Sequence, residues 1–245
     1  RTFSSAASDV YKRQSIDGKA FLGKKLKKSE LEKRNSAFGY ADRFDEKYDL
    51  VRSIRKGKYK YMRNYQPFNV DGLYNFYRYK MLAYKEWYTL FQDGKLNDIQ
   101  SQFFKPKSPE SLYNIEEDPH ETTNLANDIA YNDILLTMRE DLNNHLMSIN
   151  DLSFLPEPYF LKNGIDDVVE YSAQNKTLIK KLIETSNLQL KDYDEVSSQI
   201  KNSLNDDNPW VRYWGLIVCS SFGTKAMENK DCLLYTSPSP RDLAQ

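Results

Sequence analysis

Side-chain spacing changes along this chain, from strand-like alternation in the first third to helical spacing in the second half. Two β-prone runs, 49–55 and 58–63, flank Lys56 and Gly57. Two such runs around a glycine-bearing turn predict a β-hairpin. A shorter β-prone run at 37–41 precedes them. The first part of the chain is therefore expected to form a small antiparallel sheet.

An aromatic stretch joins the two parts and predicts further elements. Helical spacing over 84–91 ends at Gly94, and a second short helix is expected over 97–104. Residues 111–115 are β-prone and predict another strand.

Helical spacing is clearest after residue 131. Apolar residues three or four positions apart form one stripe, which is typical of a long helix packed on a core. The stripe consists of Leu135, Met138, Leu142 and Leu146. Asn208 before Pro209 predicts the start of the last helix, because proline fits a first helical turn. The expected fold class is α+β: a small antiparallel sheet with a long packed helix, then a helical extension.

Charge and apolar content exclude several kinds of partner. Lys and Arg together number 35, as do Asp and Glu, so the net charge is zero. A neutral chain gives no electrostatic reason for a nucleic acid or an anionic membrane as a partner. No apolar run approaches the roughly 20 residues of a membrane-spanning helix. The two cysteines form no Cys-x-x-Cys pair.

The residues by themselves supply no self-contained active site. Only two histidines are present, His120 in a turn and His145 on the long helix, and both are expected to be structural. No glycine-rich phosphate loop or calcium loop occurs in the sequence. The aromatic residues of 74–91 either stack on sugar rings or pack in the core.

A basic hairpin leaves two interpretations open. It is either a surface for an anionic ligand or a solvated face of a neutral chain. Its basic residues are Arg52, Arg55, Lys56, Lys58, Lys60 and Arg63.

Both ends of the chain resemble translated sequencing adapters. Asp-Val-Tyr-Lys-Arg-Gln at 9–14 is similar to one strand of a transposon end, and Cys-Leu-Leu-Tyr-Thr-Ser at 232–237 is similar to its reverse complement. We therefore expect 1–14 and 232–245 to be adapter-derived. The genuine segment, 15–231, is then a fragment of a longer protein.

Four stretches resemble the C-terminal region of the sulfatase family. Residues 18–23 resemble the segment before its C-terminal subdomain, and 52–61 resemble its central hairpin. Residues 40–49 are similar to the Asp-Arg-Met-Asp-Glu-x-Tyr-Asp pattern of arylsulfatase-like enzymes. The most specific match is 110–126, which resembles Glu-Leu-Tyr-Asp-Leu-x-x-Asp-Pro-x-Glu-x-x-Asn-Leu. Its character is closest to that of N-sulfoglucosamine sulfohydrolase-like members.

The resemblance implies a hydrolase of sulfate esters or sulfamates, with a sulfated polysaccharide as the substrate class. In the family a Cys or Ser within Cys/Ser-x-Pro-x-Arg becomes formylglycine and acts beside a calcium ion. Neither that motif nor the ligand set is present here, so both are expected in an N-terminal catalytic domain that this fragment lacks. We carry over no nucleophile and no metal ligand, and we expect the fragment alone to be inactive. The family's location implies a periplasmic or secreted protein.

Particular residues receive roles through the resemblance. Asp42 and Arg43 are the candidates for substrate binding at the rim of the cleft, because an arginine fork suits a sulfate or a uronate. A structural ion pair is the other interpretation. Apart from the resemblance, the residues of 110–126 themselves predict a structural turn at Asp118, in which Glu121 and Asn124 satisfy backbone groups.

The last part of the chain, 193–223, resembles one HEAT-type helical repeat. A single repeat cannot bury its own core, so further repeats are expected to follow. The expected organisation is a sulfatase-type subdomain at 15–150, a linker and helix at 151–190, and a HEAT-like repeat at 191–231. Prolines and a glycine predict little regular structure over 151–175.

Two other functions stay open beside the sulfatase. One is a non-catalytic module that binds an anionic glycan or a protein through the basic hairpin and the helical repeat. The other is a sister enzyme of the same superfamily, a phosphodiesterase or a phosphonate hydrolase.

Overall fold

A computed structural model of the chain describes residues 21, 26–44 and 47–229. Both adapter-like ends and most of 18–23 lie outside these residues. The described part confirms the α+β fold, with one antiparallel sheet and a larger set of helices.

Four strands form the sheet in the order β1-β2-β3-β4, with every neighbouring pair antiparallel. Their bounds are Ser36–Phe44 (β1), Lys47–Lys56 (β2), Tyr59–Asn64 (β3) and Glu110–Asn114 (β4). The predicted hairpin is confirmed, because Lys56 pairs with Tyr59 across a two-residue turn. Gly57 in that turn has a φ of +61°, a left-handed conformation that a residue without a Cβ adopts readily.

The described helices cover most of the remaining chain. In chain order the α-helices are Lys28–Glu32 (α1), Leu82–Gln92 (α2), Asp98–Ser101 (α3), Asn132–Ile149 (α4), Glu157–Gly164 (α5), Val168–Gln174 (α6), Lys176–Ser186 (α7), Tyr193–Leu204 (α8) and Pro209–Phe222 (α9). Gly94 follows α2 with a φ of +67°, as the predicted helix end requires. None of these helices is both long and apolar enough to cross a membrane.

One core joins the sheet to α4. The predicted stripe of α4 is confirmed, since all four of its apolar residues are buried: Leu135, Met138, Leu142 and Leu146. They belong to the same cluster as Leu50 and Ile54 of β2 and Leu112 of β4. Burying each such side chain contributes about 1.5–3 kcal/mol, so this contact holds the helix on the sheet.

The same core continues into the helices after residue 151. Leu182 of α7 and Trp214 of α9 belong to the cluster that contains the sheet residues. The indole Nε1 of Trp214 donates a hydrogen bond to the carbonyl oxygen of Phe154 at 2.7 Å. Buried Arg63 of β3 donates to the carbonyl oxygen of Ser186 at 2.9 Å. The sheet and the later helices therefore stabilise one another.

A second, smaller cluster lies between α8 and α9, where Ile200 and Leu204 are buried with Val218. The predicted start of α9 is confirmed. Asn208 accepts a hydrogen bond from the backbone N–H of Trp210 at 2.9 Å, and a proline opens the helix. The two helices that the HEAT resemblance requires are thus present, while the repeat itself stays a prediction.

The expectation of little regular structure over 151–175 is wrong, because α5 and α6 occupy much of this stretch. Pro156 precedes α5 and Pro158 lies in its first turn. Proline is tolerated there because the first N–H groups of a helix have no partner within the helix. Asp167 caps α6 by accepting a hydrogen bond from the N–H of Glu170 at 2.9 Å.

Candidate functional site

The two candidate residues, Asp42 and Arg43, lie at an irregularity in the pairing of β1 with β2. The register shifts between Ala41 and Arg43, so that Asp42 alone faces Asp49 and Leu50 of β2. Such an extra residue is a β-bulge, which bends a strand and redirects its side chains. Leu50 has a φ of +48° although it is fully buried. A strained backbone position of this kind is common beside functional sites.

Asp42 belongs to a charged network with Arg52 and Asp151. One Asp42 carboxylate oxygen lies 2.8 Å from Nη1 of Arg52, and Ser153 Oγ donates to the other at 3.2 Å. Asp151 binds the same guanidinium through both oxygens, at 2.6 Å from Nε and 3.2 Å from Nη2. Burial by itself disfavours the charged guanidinium, but the hydrogen bond and charge of Asp151 outweigh it and raise the pKa of Arg52. Asp42 is therefore held in a fixed position.

Arg43 forms an ion pair with Glu157 of α5, and both side chains are about half exposed. The pair stands at a cleft of about 400 Å³ between β1, β2 and the segment that leads into α5. The cleft is lined by Asp42, Arg43, Tyr48, Leu152, Ser153, Leu155, Glu157, Phe160 and Leu161. The structure thus brings both predicted residues to one cleft, and it also places each of them in an ion pair.

Tyr48 of β2 is one of the residues that line this cleft. Its hydroxyl donates a hydrogen bond to the carbonyl oxygen of Ser153 at 2.7 Å. Burial raises the pKa of Tyr48 above its ordinary value, and nearby Tyr213 and Asp42 raise it further. The hydroxyl therefore stays protonated and acts as a fixed donor.

Among the described residues that line the cleft, Arg43 carries a positive charge and Asp42 and Glu157 carry negative ones. A guanidinium presents a planar pair of donors to a sulfate or carboxylate group. Glu157 accepts a hydrogen bond from one of those donors, Nη2 of Arg43, and an incoming anion would compete with it there. Among the described residues, no histidine or cysteine lines the cleft, and the hydroxyl of Ser153 donates to the Asp42 carboxylate, which is already paired with Arg52.

The calcium ion that the resemblance implies does not fit this cleft. Asp42 and Glu157 are each already paired with an arginine. Across residues 26–44 and 47–229, no three His, Cys, Asp or Glu side chains converge in a way that would hold a metal ion. A calcium site elsewhere in the intact protein stays a prediction.

The basic hairpin is not a free cationic surface. Three of its lysines pair with carboxylates: Lys56 with Asp141, Lys58 with Glu117 and Lys60 with Glu121. Its three arginines also have partners within the chain: Arg52 with Asp151, Arg55 with Asn35, and Arg63 with backbone carbonyls and Gln189. Arg52 and Arg63 are buried. The interpretation of the hairpin as a solvated basic face therefore does not apply to Arg52 and Arg63.

The sulfatase-like stretch 110–126 forms a fixed structural turn. Asn124 Oδ1 accepts hydrogen bonds from the backbone N–H groups of Leu112 and Ala126, each at 3.0 Å, which confirms its predicted role. The prediction for Glu121 is wrong, because its carboxylate binds Lys60 Nζ at 2.8 Å instead of backbone groups.

Asp118 satisfies the turn in place of Glu121. Its carboxylate accepts a hydrogen bond from the backbone N–H of Thr123 at 2.8 Å and another from the hydroxyl of Thr122. The bond from Thr123 is the main reason that the pKa of Asp118 lies below its ordinary value. A side chain that begins an Asp-Pro turn is a recognisable signal for this role.

The two histidines lie away from the cleft lining. His145 stacks on Phe38, with ring centroids 3.6 Å apart and planes 8° from parallel, and burial lowers its pKa. His120 is exposed beside the Asp118 turn.

The aromatic stretch divides into two halves. Trp87 stacks on Phe103 and Phe91 stacks on Phe104, each with centroids 4.7 Å apart, so the second half packs within the protein. The first half, before α2, leaves several rings exposed.

Comparison with known proteins identifies one informative relative. No protein-family model matches the chain. It is 34% identical over 194 residues to an ulvan-active sulfatase from Formosa agariphila. This chain is similar to a sulfatase. The match covers 79% of the chain and 28% of that sulfatase, so the chain spans less than a third of its relative's length. The similarity supports the sulfatase resemblance that 110–126 carries.

Sequence reasoning missed Glu157, Tyr48 and Ser153 as residues that line this cleft. Tyr48 stood within the matched stretch 40–49, which was a usable signal. Glu157 stood between two prolines in the stretch expected to lack regular structure, and nothing local linked it to Arg43.

Proposed function

We propose that this chain is the C-terminal part of a sulfatase whose catalytic domain lies outside it. The observation that carries the proposal is the 34% identity to an ulvan-active sulfatase over 79% of this chain. The intact enzyme hydrolyses sulfate esters or sulfamates of a sulfated polysaccharide, and it is periplasmic or secreted. Formylglycine and calcium belong to the catalytic domain, where they supply the nucleophile and stabilise the sulfate charge.

Within this enzyme, the cleft of Asp42 and Arg43 binds an anionic group of the substrate at the rim of the active site. The half-exposed Arg43–Glu157 pair supports this role, because an exposed ion pair contributes only about 0–1 kcal/mol and can be exchanged. The ion pair of Asp42 with buried Arg52 keeps the adjacent strand in place while Arg43 exchanges partners.

The role of Arg43 is tested by kinetics of the full-length enzyme on sulfated polysaccharide. Arg43→Gln is expected to raise KM about tenfold, since a charge-assisted hydrogen bond contributes about 1.5–3 kcal/mol and the site is half exposed. Lys58→Gln is the matched control, because it removes an exposed cation, in the turn between β2 and β3, that is paired with Glu117. An unchanged KM for Arg43→Gln would leave Arg43 as part of a structural ion pair.

The proposed activity is tested separately on purified proteins. Residues 15–231 are expected to release no sulfate from an aryl sulfate, whereas the full-length enzyme does so. Hydrolysis of an aryl phosphodiester or phosphonate in preference to the sulfate would instead favour the sister-enzyme alternative. A non-catalytic binding module would show salt-sensitive heparin retention that substitutions in the hairpin abolish. The internal pairing of the hairpin's basic residues counts against that outcome.

A further inference from the structure

A surface segment that leads into α2 exposes several apolar side chains and buries one of its cations. Tyr77 is 80% exposed and Phe76 is 66% exposed, whereas Arg78 is only 6% exposed. We call its exposed apolar residues the aromatic platform: Leu73, Tyr74, Phe76, Tyr77, Met81 and Leu82. A contiguous exposed apolar patch on an ordered segment indicates a binding surface.

Hydrogen bonds within the segment and to β2 hold the segment in place. Arg78 Nη1 donates a hydrogen bond to the carbonyl oxygen of Asp71 at 2.7 Å. The hydroxyl of Tyr79 donates to the carbonyl oxygen of Gly72 at 2.7 Å. Lys47 of β2 donates to the carbonyl oxygen of Val70 at 3.1 Å. The platform is therefore fixed before any ligand arrives, which lowers the entropic cost of binding.

The platform combines ring faces with positive charge. Tyr74 stacks on Tyr79, with centroids 5.3 Å apart and planes 12° from parallel. Lys80 Nζ lies 4.4 Å from the centroid of Phe76. Within residues 72–85 the exposed charges are those of Lys80 and Lys85, since Arg78 is buried, and Asp71 and Glu86 lie just outside this range. These two lysines are the positive groups that a polyanion would contact.

We propose that the aromatic platform binds a sulfated polysaccharide at a site separate from the Asp42–Arg43 cleft. The C–H groups on the face of a sugar ring meet the negative face of an aromatic ring, while lysines pair with sulfate groups. Tyrosine hydroxyls additionally bind sugar hydroxyls, and two of the three rings of the platform are tyrosines: Tyr74 and Tyr77 beside Phe76. The class of polymer rests on the proposed function. The platform lets the enzyme hold a long substrate while its active site acts elsewhere on the polymer.

The test is calorimetric titration of the chain with ulvan and with chemically desulfated ulvan. The double variant Tyr74→Ala/Tyr77→Ala is expected to weaken binding of both polymers about tenfold or more, as two aromatic contacts are lost. Tyr74→Phe/Tyr77→Phe keeps the rings and should retain most of the affinity. Lys80→Gln should weaken binding of the sulfated polymer selectively. Val169→Ala, at a position 80% exposed on α6, is the control and should leave both affinities unchanged.

Unchanged affinity of the double alanine variant would overturn the proposal. So would binding of the platform to anionic lipid vesicles, or to the enzyme's own catalytic domain, in place of the polysaccharide. Aryl sulfate hydrolysis by the unmodified full-length enzyme reports on the proposed function independently. If the full-length enzyme is active but its affinity for the polymer does not change in the platform variants, only the present inference is rejected and the proposed function stands.

Discussion

The buried ion pair between Arg52 and Asp151 gives a strong prediction about stability. Asp151→Asn removes the charge that faces Arg52 at 2.6 and 3.2 Å, while the guanidinium is only 4% exposed and remains charged. Removing one partner of a buried pair costs about 3–5 kcal/mol of unfolding free energy. Asp42 still lies 2.8 Å from Arg52, so we expect a loss near the lower end, about 3 kcal/mol.

Urea unfolding followed by circular dichroism measures this loss directly. Asparagine keeps the volume of Asp151 and an oxygen for the backbone N–H of Ser153, so the substitution removes the charge and the acceptor that faces Nε of Arg52. The matched control is Asp141→Asn, which breaks the exposed pair with Lys56 and should cost less than about 1 kcal/mol. Equal losses in the two variants would refute the conclusion that the Asp151 pair is a buried element of the fold.

Three further changes test the core, the sulfatase-like turn and the stacked histidine. Leu146→Ala should lower the unfolding free energy by about 2–5 kcal/mol, whereas Leu136→Ala on the exposed side of α4 should have little effect. Asn124→Ala leaves a β4 amide without its acceptor and should cost about 1–3 kcal/mol in the same assay. Burial lowers the pKa of His145 in the folded state. Below about pH 6.5 the unfolded state therefore binds more protons than the folded state, and the unfolding free energy decreases as the pH falls. His145→Phe keeps the stack on Phe38, and thermal unfolding should show a smaller loss from about pH 7 to about pH 5; an equal loss would contradict this reasoning.

Local signals predicted most of the elements. Gly57 marked the hairpin turn, and the leucine stripe marked the buried face of α4, because both signals depend on neighbours within one turn of the chain. Asn208 predicted the start of α9 for the same reason. Pro156 and Pro158 led to the wrong prediction of little regular structure over 151–175. A proline in the first turn of a helix and a proline in a loop have the same local sequence pattern.

The candidate cleft could be predicted only in part. Asp42 and Arg43 came from a family resemblance, but the partner of Arg43 lies 114 residues away on α5. The partners of the basic hairpin are also distant, as Asp141 is 85 residues from Lys56. Contacts of this kind depend on how the sheet, α4 and α5 pack together, and side-chain spacing within one element does not contain that information.

The most direct test of the sulfatase proposal is a long sequence read across the same locus, upstream of Ser15. We predict an in-frame Cys or Ser-x-Pro-x-Arg motif, accompanied by acidic residues that can bind calcium. A continuous reading frame that lacks this motif would contradict the enzyme proposal and leave a binding relative of the sulfatases.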